Sequence, residues 1–354
     1  MNKDNFGFCE NENISHRIQE LIANSLLGVE QLDKIERRYD DMRDNFYRYP
    51  KDFVTDDKEE WKFSKGLEPF TPKGRKDYYC DTTAVPIPIT HPDFIDLTTR
   101  TKEQGRGAIG LDLPTWFYQS PDESFIMLVT QDPLRSAKWY GDEVDERYIC
   151  NDAILSSPFG LQDAHHREKG NGGKRMWLLV QALLERGYNV YLTDCRKFFV
   201  YNHNQSDKYT TTEKMDIYRN ILLEEIEIIN PKLIVTLGHS ANKSCRELLG
   251  DDKRLSPYMP HFCGTAGHKI KDFFEIKQKV SIEDLASMYA NKIDELAKQK
   301  YAYAEAHDMN EARKPKRTFD EACRECHAIP LDEFKKKWMR QLHAKYENNP
   351  FRKW

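Results

Sequence analysis

The stretch Phe125 to Pro133, FIMLVTQDP, decides how this chain is read. An apolar, β-branched run of that length, without polar alternation, suits a strand buried on both faces, as in a parallel sheet. It stops at the polar turn Thr130-Gln131-Asp132-Pro133. Open α/β sheets keep their ligands outside the carboxyl ends of their strands, which is where Gln131 and Asp132 would be delivered. Pro133 has no N–H to give a ladder, so the strand ends there. For the dipeptide alone an ordinary Asx-Pro turn is the better account. The weight therefore falls on the rest of the chain.

Working downstream, NGGKRMWLLVQALLERGY predicts a helix over 174–186 that Gly187 terminates. NVYLTDCRKFFVY reads as a second strand, with Asp194 at its end. Met215, Ile217, Ile221, Leu222, Ile226 and Ile229 recur at helical spacing and predict a helix over 212–229. Asn230-Pro231 then leads into KLIVTLGHSA, another buried strand, ending at Gly238. Strand, helix, strand, helix, strand is the pattern of an α/β domain, three-layered and doubly wound on a mostly parallel central sheet. Upstream, residues 14–49 carry one helical pattern, ended by Pro50. Residues 51–100 read as a loop-rich connector, and VPIPITHPDF is too rich in proline for a central strand. GRGAIGLDLPTWFY then leads into the central strand, and residues 282–354 are mostly helical and charged. The expected organisation is a helical, loop-rich N-terminal extension (1–104), an α/β core (105–280) and a charged helical C-terminal extension (281–354).

Composition narrows the function classes. The 354 residues hold 54 Lys plus Arg against 58 Asp plus Glu, a formal charge of -4. Overall charge therefore does not mark a nucleic-acid binder, and any such site must be a local basic patch. Eight cysteines are scattered without a regular framework, and no apolar stretch reaches membrane-span length. A reduced, cytoplasmic protein without a membrane partner is expected, its oligomeric state left open. Cys323-Arg324-Glu325-Cys326-His327 matches a haem-attachment spacing, and one CxxC is half a zinc site that His307 or His343 could extend. An ordinary helical cysteine pair is the simpler account, so no metal or cofactor is expected.

TQDP at 130–133, PFG at 158–160, VYLTD at 190–194, LIVTLGHSA at 233–241 and PHFCGTAG at 260–267, taken in that order, resemble the motif set of the uracil-DNA glycosylase superfamily. The resemblance covers roughly residues 105–275. It implies a pocket at the strand ends that receives a flipped-out nucleotide, at an unstacking cost of a few kcal/mol, and hydrolysis of its N-glycosidic bond. By resemblance, Asp132 stabilises oxocarbenium character at the sugar and orients the attacking water. Gln131 contributes backbone contacts to the pocket, and His261 donates to the base O2 as charge develops there. Phe159 matches the aromatic that stacks on the flipped base. Ser240, Lys243, Arg196 and Lys197 are candidates for phosphate contact, together with Lys174, Arg175, Lys269 and Lys271. Gly264, Thr265 and Gly267 belong to the loop through which the backbone would approach a phosphate.

Departures from the family pattern select the base. Uracil-specific members carry asparagine where this chain has Asp194. An amide both donates and accepts, whereas a carboxylate only accepts and suits the exocyclic amine of cytosine. Asp194 could also simply cap the turn that follows, paired with Arg196 or Lys197. Leu134 replaces a tyrosine that blocks the pyrimidine 5-position in the most selective uracil enzymes, which opens that side. The excursion from Leu134 to Pro158 is long for the family and contains Arg135, Lys138, Trp139 and Tyr140. Together these resemble bacterial phage-defence glycosylases that excise glucosylated hydroxymethylcytosine. The expected function is thus a DNA glycosylase leaving abasic sites in modified phage DNA. The alternatives are a repair glycosylase for uracil or 5-modified uracil, and a non-catalytic DNA-binding module on the same scaffold.

Overall fold

The structure is a computed structural model that describes residues 12–47, 85–92, 94, 109–118, 124–131, 152–162, 166–167, 171–200, 212–262 and 267–313. The chain divides into two compact units, Met1–Lys298 and Gln299–Trp354. The first holds all the described sheet structure and is an α/β body.

Phe125–Thr130 forms the strand that its composition predicts, β4 of the eight strands among the described residues, and all six residues are buried. Hydrocarbon on both pleats leaves it nowhere to go but the middle of a sheet. It lies between β6 (Asn189–Asp194) and β8 (Leu233–Thr236), parallel to both. β3 (Thr115–Phe117) covers the far side of β6 antiparallel, giving the order β3-β6-β4-β8. Beyond β8 the chain continues the sheet through two parallel bridges, Ile234 to Leu255 and Leu237 to Met259.

The second sheet has the order β1-β5-β2-β7, built from Val85–Pro88, Asp152–Ser156, Ile109–Asp112 and Phe198–Val200. Its β1 falls in the segment expected as a connector. The prolines that disfavour a central strand are tolerated because, among the described residues, β1 lies at the edge of its sheet and pairs with β5 alone. β5 lies at the end of the polar excursion, where no strand is expected. The single strand expected over NVYLTDCRKFFVY is two: Cys195 and Arg196 bend the chain out of β6, and Phe198–Val200 joins the other sheet as β7.

The single helix expected over 14–49 is also two, α1 (Glu12–Ile22) and α2 (Leu32–Tyr47). A π-helical turn at Ala23–Leu27 and a 3-10 turn at Val29–Gln31 separate them, with Gly28 between at φ 124°. Only glycine adopts that conformation cheaply, and a Cβ there would collide with Thr90 Oγ1. The approach is close because Leu27 O accepts the N–H of Thr90 at 2.7 Å, the N–H of His91 at 2.9 Å and the Thr90 hydroxyl at 2.9 Å.

The remaining helices are α3 (Asn171–Leu184), α4 (Thr212–Ile229), α5 (His239–Leu249), α6 (Gly267–Phe273) and α7 (Ile282–Arg313). α3 packs on β6, α5 on β8 and α1 on α4. α4 carries the chain from the β6 side of β4 to β8. One core joins these layers: Ile18, Ile35 and Met42 of the N-terminal helices and Tyr289 and Ile293 of α7 belong to the same buried cluster as Ile126 and Leu192. Among the described residues no helix is long and apolar enough to cross a membrane.

Candidate active site at the strand ends

Because β4, β6 and β8 run parallel, their carboxyl ends share one edge. Register places Thr130 opposite Asp194. Backbone bonds carry the pairing past the strands, with Cys195 N–H donating to Thr130 O at 2.9 Å and Arg196 N–H to Gln131 O at 3.0 Å. On the other side of β4, Leu237 N–H reaches Val129 O at 2.9 Å, and Gly238 N–H reaches Met259 O at 2.9 Å. His261 lies two residues beyond Met259. The Gly238 backbone is so near it that a Cβ at Gly238 would stand 3.4 Å from the His261 Cβ. Gln131, Asp194 and His261 thus converge from three neighbouring segments at one end of the sheet.

Asp194 is 3 % exposed, and the Thr130 hydroxyl donates a short hydrogen bond to its Oδ1. A carboxylate has about four lone-pair sites, and this bond occupies one of them. Two residues on, Lys197 departs from expectation. Proposed from the sequence as a phosphate ligand, it is fully enclosed, and its ammonium donates to both Glu225 oxygens at 2.8 and 2.6 Å and to Thr193 Oγ1 at 2.7 Å. The Thr193 hydroxyl in turn donates to Glu225 Oε1 at 3.0 Å. A charge spent in this way cannot meet DNA. What it does is tie Thr193 and Lys197, which bracket Asp194 to Arg196, to α4. Burial pushes the Glu225 carboxyl above its ordinary range, and the Lys197 ammonium opposes that shift.

Phe159 comes from a different element. Ser157-Pro158-Phe159-Gly160 leaves β5 as a 3-10 turn in which Phe159 adopts φ 60°, ψ 12°, a left-handed conformation rare for an aromatic. Such strain persists only where the surroundings over-determine it, and it concentrates at functional sites. Here Gln162 holds the turn: its Oε1 accepts the Ser157 hydroxyl and N–H, and its Nε2 donates to Ser156 Oγ at 3.1 Å. Gly173 of α3 lets the Phe159 carbonyl come within 3.0 Å of where a Cβ would be. The half-buried Phe159 ring lies 6.0 Å from that of His261, tilted by 46°. Two site residues predicted from separate motifs are thereby in ring contact.

The other candidates are dispersed. Ser240 lies in the first turn of α5, half-buried, and Lys243 is exposed on the same helix, 3.9 Å from Glu247. Arg196 is half-buried just past Asp194. Lys174 on α3 pairs at 3.5 Å with Glu283. Lys269 and Lys271 are exposed on α6, whose first residue is Gly267. Asp132, Leu134, Gly264, Thr265 and the 135–150 excursion lie outside the described residues, as do Cys323, Cys326 and His343.

The chemistry available is that of acceptors and donors fixed around a sheet edge. Neither described thiol nearby is a nucleophile, because burial pushes both Cys195 and Cys245 up to about 12. Among the described residues no group of three or more His, Cys, Asp or Glu could hold a metal ion. Sequence reasoning missed Thr130 as the partner of Asp194, and it missed Glu225 and Gln162. Glu225 had a readable signal: it falls on the buried stripe of α4 with Ile221, Leu222 and Ile229, where a carboxylate requires a buried cation. Comparison of the chain with models of known protein families and with curated protein sequences gave no match.

Proposed function

We propose that this chain is a DNA glycosylase that hydrolyses the N-glycosidic bond of a flipped-out cytosine carrying a bulky 5-substituent, such as glucosylated hydroxymethylcytosine, in defence against phage. The observation that carries the reading is the Asp194 carboxylate, held by the Thr130 hydroxyl at the edge to which His261 also comes. A buried, oriented carboxylate accepts hydrogen bonds and donates none, which favours the amino edge of cytosine over the carbonyl edge of uracil by about 1–3 kcal/mol per contact. Its low exposure strengthens that preference, since a desolvated charge discriminates more sharply than a hydrated one.

In this reading the base enters beside Phe159, and the bond from C1′ to the base nitrogen lengthens. His261 donates toward the base O2 as charge accumulates there, while Asp132 balances the positive sugar and directs water to C1′. The water hydroxyl ends on C1′, its proton leaves with the base, and an abasic site remains. DNA is the partner, met through Ser240, Lys243 and Arg196 together with the loop containing Gly264 and Thr265. The fold that this requires is the three-layer, doubly wound core of the uracil-DNA glycosylase superfamily, which the parallel β6-β4-β8 arrangement supports.

The test is incubation with duplexes containing cytosine, hydroxymethylcytosine, glucosylated hydroxymethylcytosine or uracil, with released bases identified by mass spectrometry. Release from the glucosylated duplex alone is expected, together with its loss in Asp132→Ala while DNA binding persists. Equal release of plain cytosine, or no release from any duplex, would overturn the proposal. Uracil release gained by Asp194→Asn would place base selection at that side chain, and uracil release by the unaltered protein would favour the repair reading.

A further inference from the structure

We propose that Tyr289, on the long C-terminal helix α7, is a positioning residue for His261, so that this helix is part of the reaction machinery. The inference rests on the glycosylase reading for its catalytic consequence but not for its geometry. Tyr289 is fully buried, and its hydroxyl donates to the carbonyl of Pro260 at 3.0 Å. Its ring packs 4.6 Å from that of Phe262, centroid to centroid, and 4.8 Å from that of Phe274. One side chain therefore grips the residues immediately before and after His261, by a polar bond on one side and an aromatic contact on the other.

The polar half of that grip falls on a residue with few alternatives. Pro260 has no N–H, so its carbonyl is the only hydrogen-bonding group that its backbone can offer a partner. Gly238, just past the end of β8, faces the His261 side chain, and Phe159 meets its ring. Tyr289 adds a constraint on the backbone at both sides of His261, and so on where the imidazole sits. The helix bearing it is anchored at the opposite end of β6, where Tyr188 donates to Asp294 Oδ1 at 2.8 Å and Arg186 donates to Asn291. A packing role alone would need an aromatic ring and no hydroxyl. The bond to Pro260 is what specifies tyrosine.

The decisive experiment is a double-mutant cycle of Tyr289→Phe and His261→Ala, read as the single-turnover rate of base release from a glucosylated hydroxymethylcytosine duplex. Tyr289→Phe keeps the ring and removes the bond. It should slow release about tenfold, with DNA affinity unchanged, since small misplacements of a reacting group cost rate rather than binding. In the His261→Ala background the same change should cost less than about twofold, because there is no imidazole left to misplace. An equal loss in both backgrounds would overturn the inference. A second reading needs no turnover: the ¹³C–¹H signal of the His261 ring, assigned from His261→Ala, should move in Tyr289→Phe. An unmoved signal would overturn the inference as well. If the unaltered protein releases no base while the ring signal still responds to Tyr289→Phe, the glycosylase reading fails and the positioning stands.

Discussion

Replacing Lys197 with methionine removes the cation that, among the described residues, pairs with Glu225, and leaves hydrocarbon of similar volume. Both side chains are fully enclosed, and the pair is joined by bonds of 2.8 and 2.6 Å, with Thr193 bridging. Breaking a buried pair by deleting one partner typically costs about 3–5 kcal/mol, a large share of the roughly 5–15 kcal/mol that holds a domain folded. The loss should depend on pH with a definite sign. Burial already raises the folded pKa of Glu225 above its ordinary 4.5, and without Lys197 it rises further. Between the unfolded and folded values the native state holds a proton that the unfolded chain has released, so stability falls as pH rises through that window and returns as pH falls. Urea unfolding should therefore show Lys197→Met losing at least about 1.4 kcal/mol less near pH 5 than near pH 8, the equivalent of one pKa unit. Adding Glu225→Leu should restore most of the loss at the higher pH, since it removes the uncompensated carboxylate. An equal penalty at both pH values, or a double variant no more stable than the single one, would refute the argument.

Gly28→Ala should cost more than about 1 kcal/mol in thermal unfolding, because φ 124° and the Thr90 hydroxyl both exclude a Cβ; a neutral result would mean that the α1–α2 junction relaxes. At Phe159 the usual order of substitutions should reverse, with Phe159→Gly about 1 kcal/mol more stable than Phe159→Ala because φ 60° penalises any side chain; alanine being the more stable would show the turn to be unstrained. Thr130→Val is nearly isosteric and removes the donor to Asp194, so it should cost about 1.5–3 kcal/mol in denaturant unfolding; a loss below about 0.5 kcal/mol would mean that the carboxylate is held by other groups.

How much of this was legible in advance depends on which forces wrote each part. β4, β8 and α4 read directly because continuous burial or a clear helical stripe needs no distant information. The break at Gly28 was hidden because Leu26, Val29 and Leu32 keep the helical rhythm across it, while the cause is a contact with Thr90 far along the chain. β7 was hidden because Phe198 prolongs the apolar character of β6, and only the sheet assignment separates them. At the site, strand ends could be placed because parallel topology sends them all to one edge. The burial of Lys197 could not, because a lysine read alone belongs at the surface, and its partner Glu225 lies on another element. Tyr289 left no trace at all: nothing local says that a hydroxyl will meet a carbonyl 29 residues away.

One modest feature, the edge strand β1, has a consequence for how this molecule behaves in company. Alternate residues of a strand turn their N–H groups to the same side. Pro86 and Pro88 are two apart, and β5 occupies the other flank, so both missing donors fall on the outward rim. A stray strand from a second copy would find carbonyls there without the matching donors. A rim that lacks both donors is a poor template for pairing with a second chain, which is one way in which sheet edges resist association.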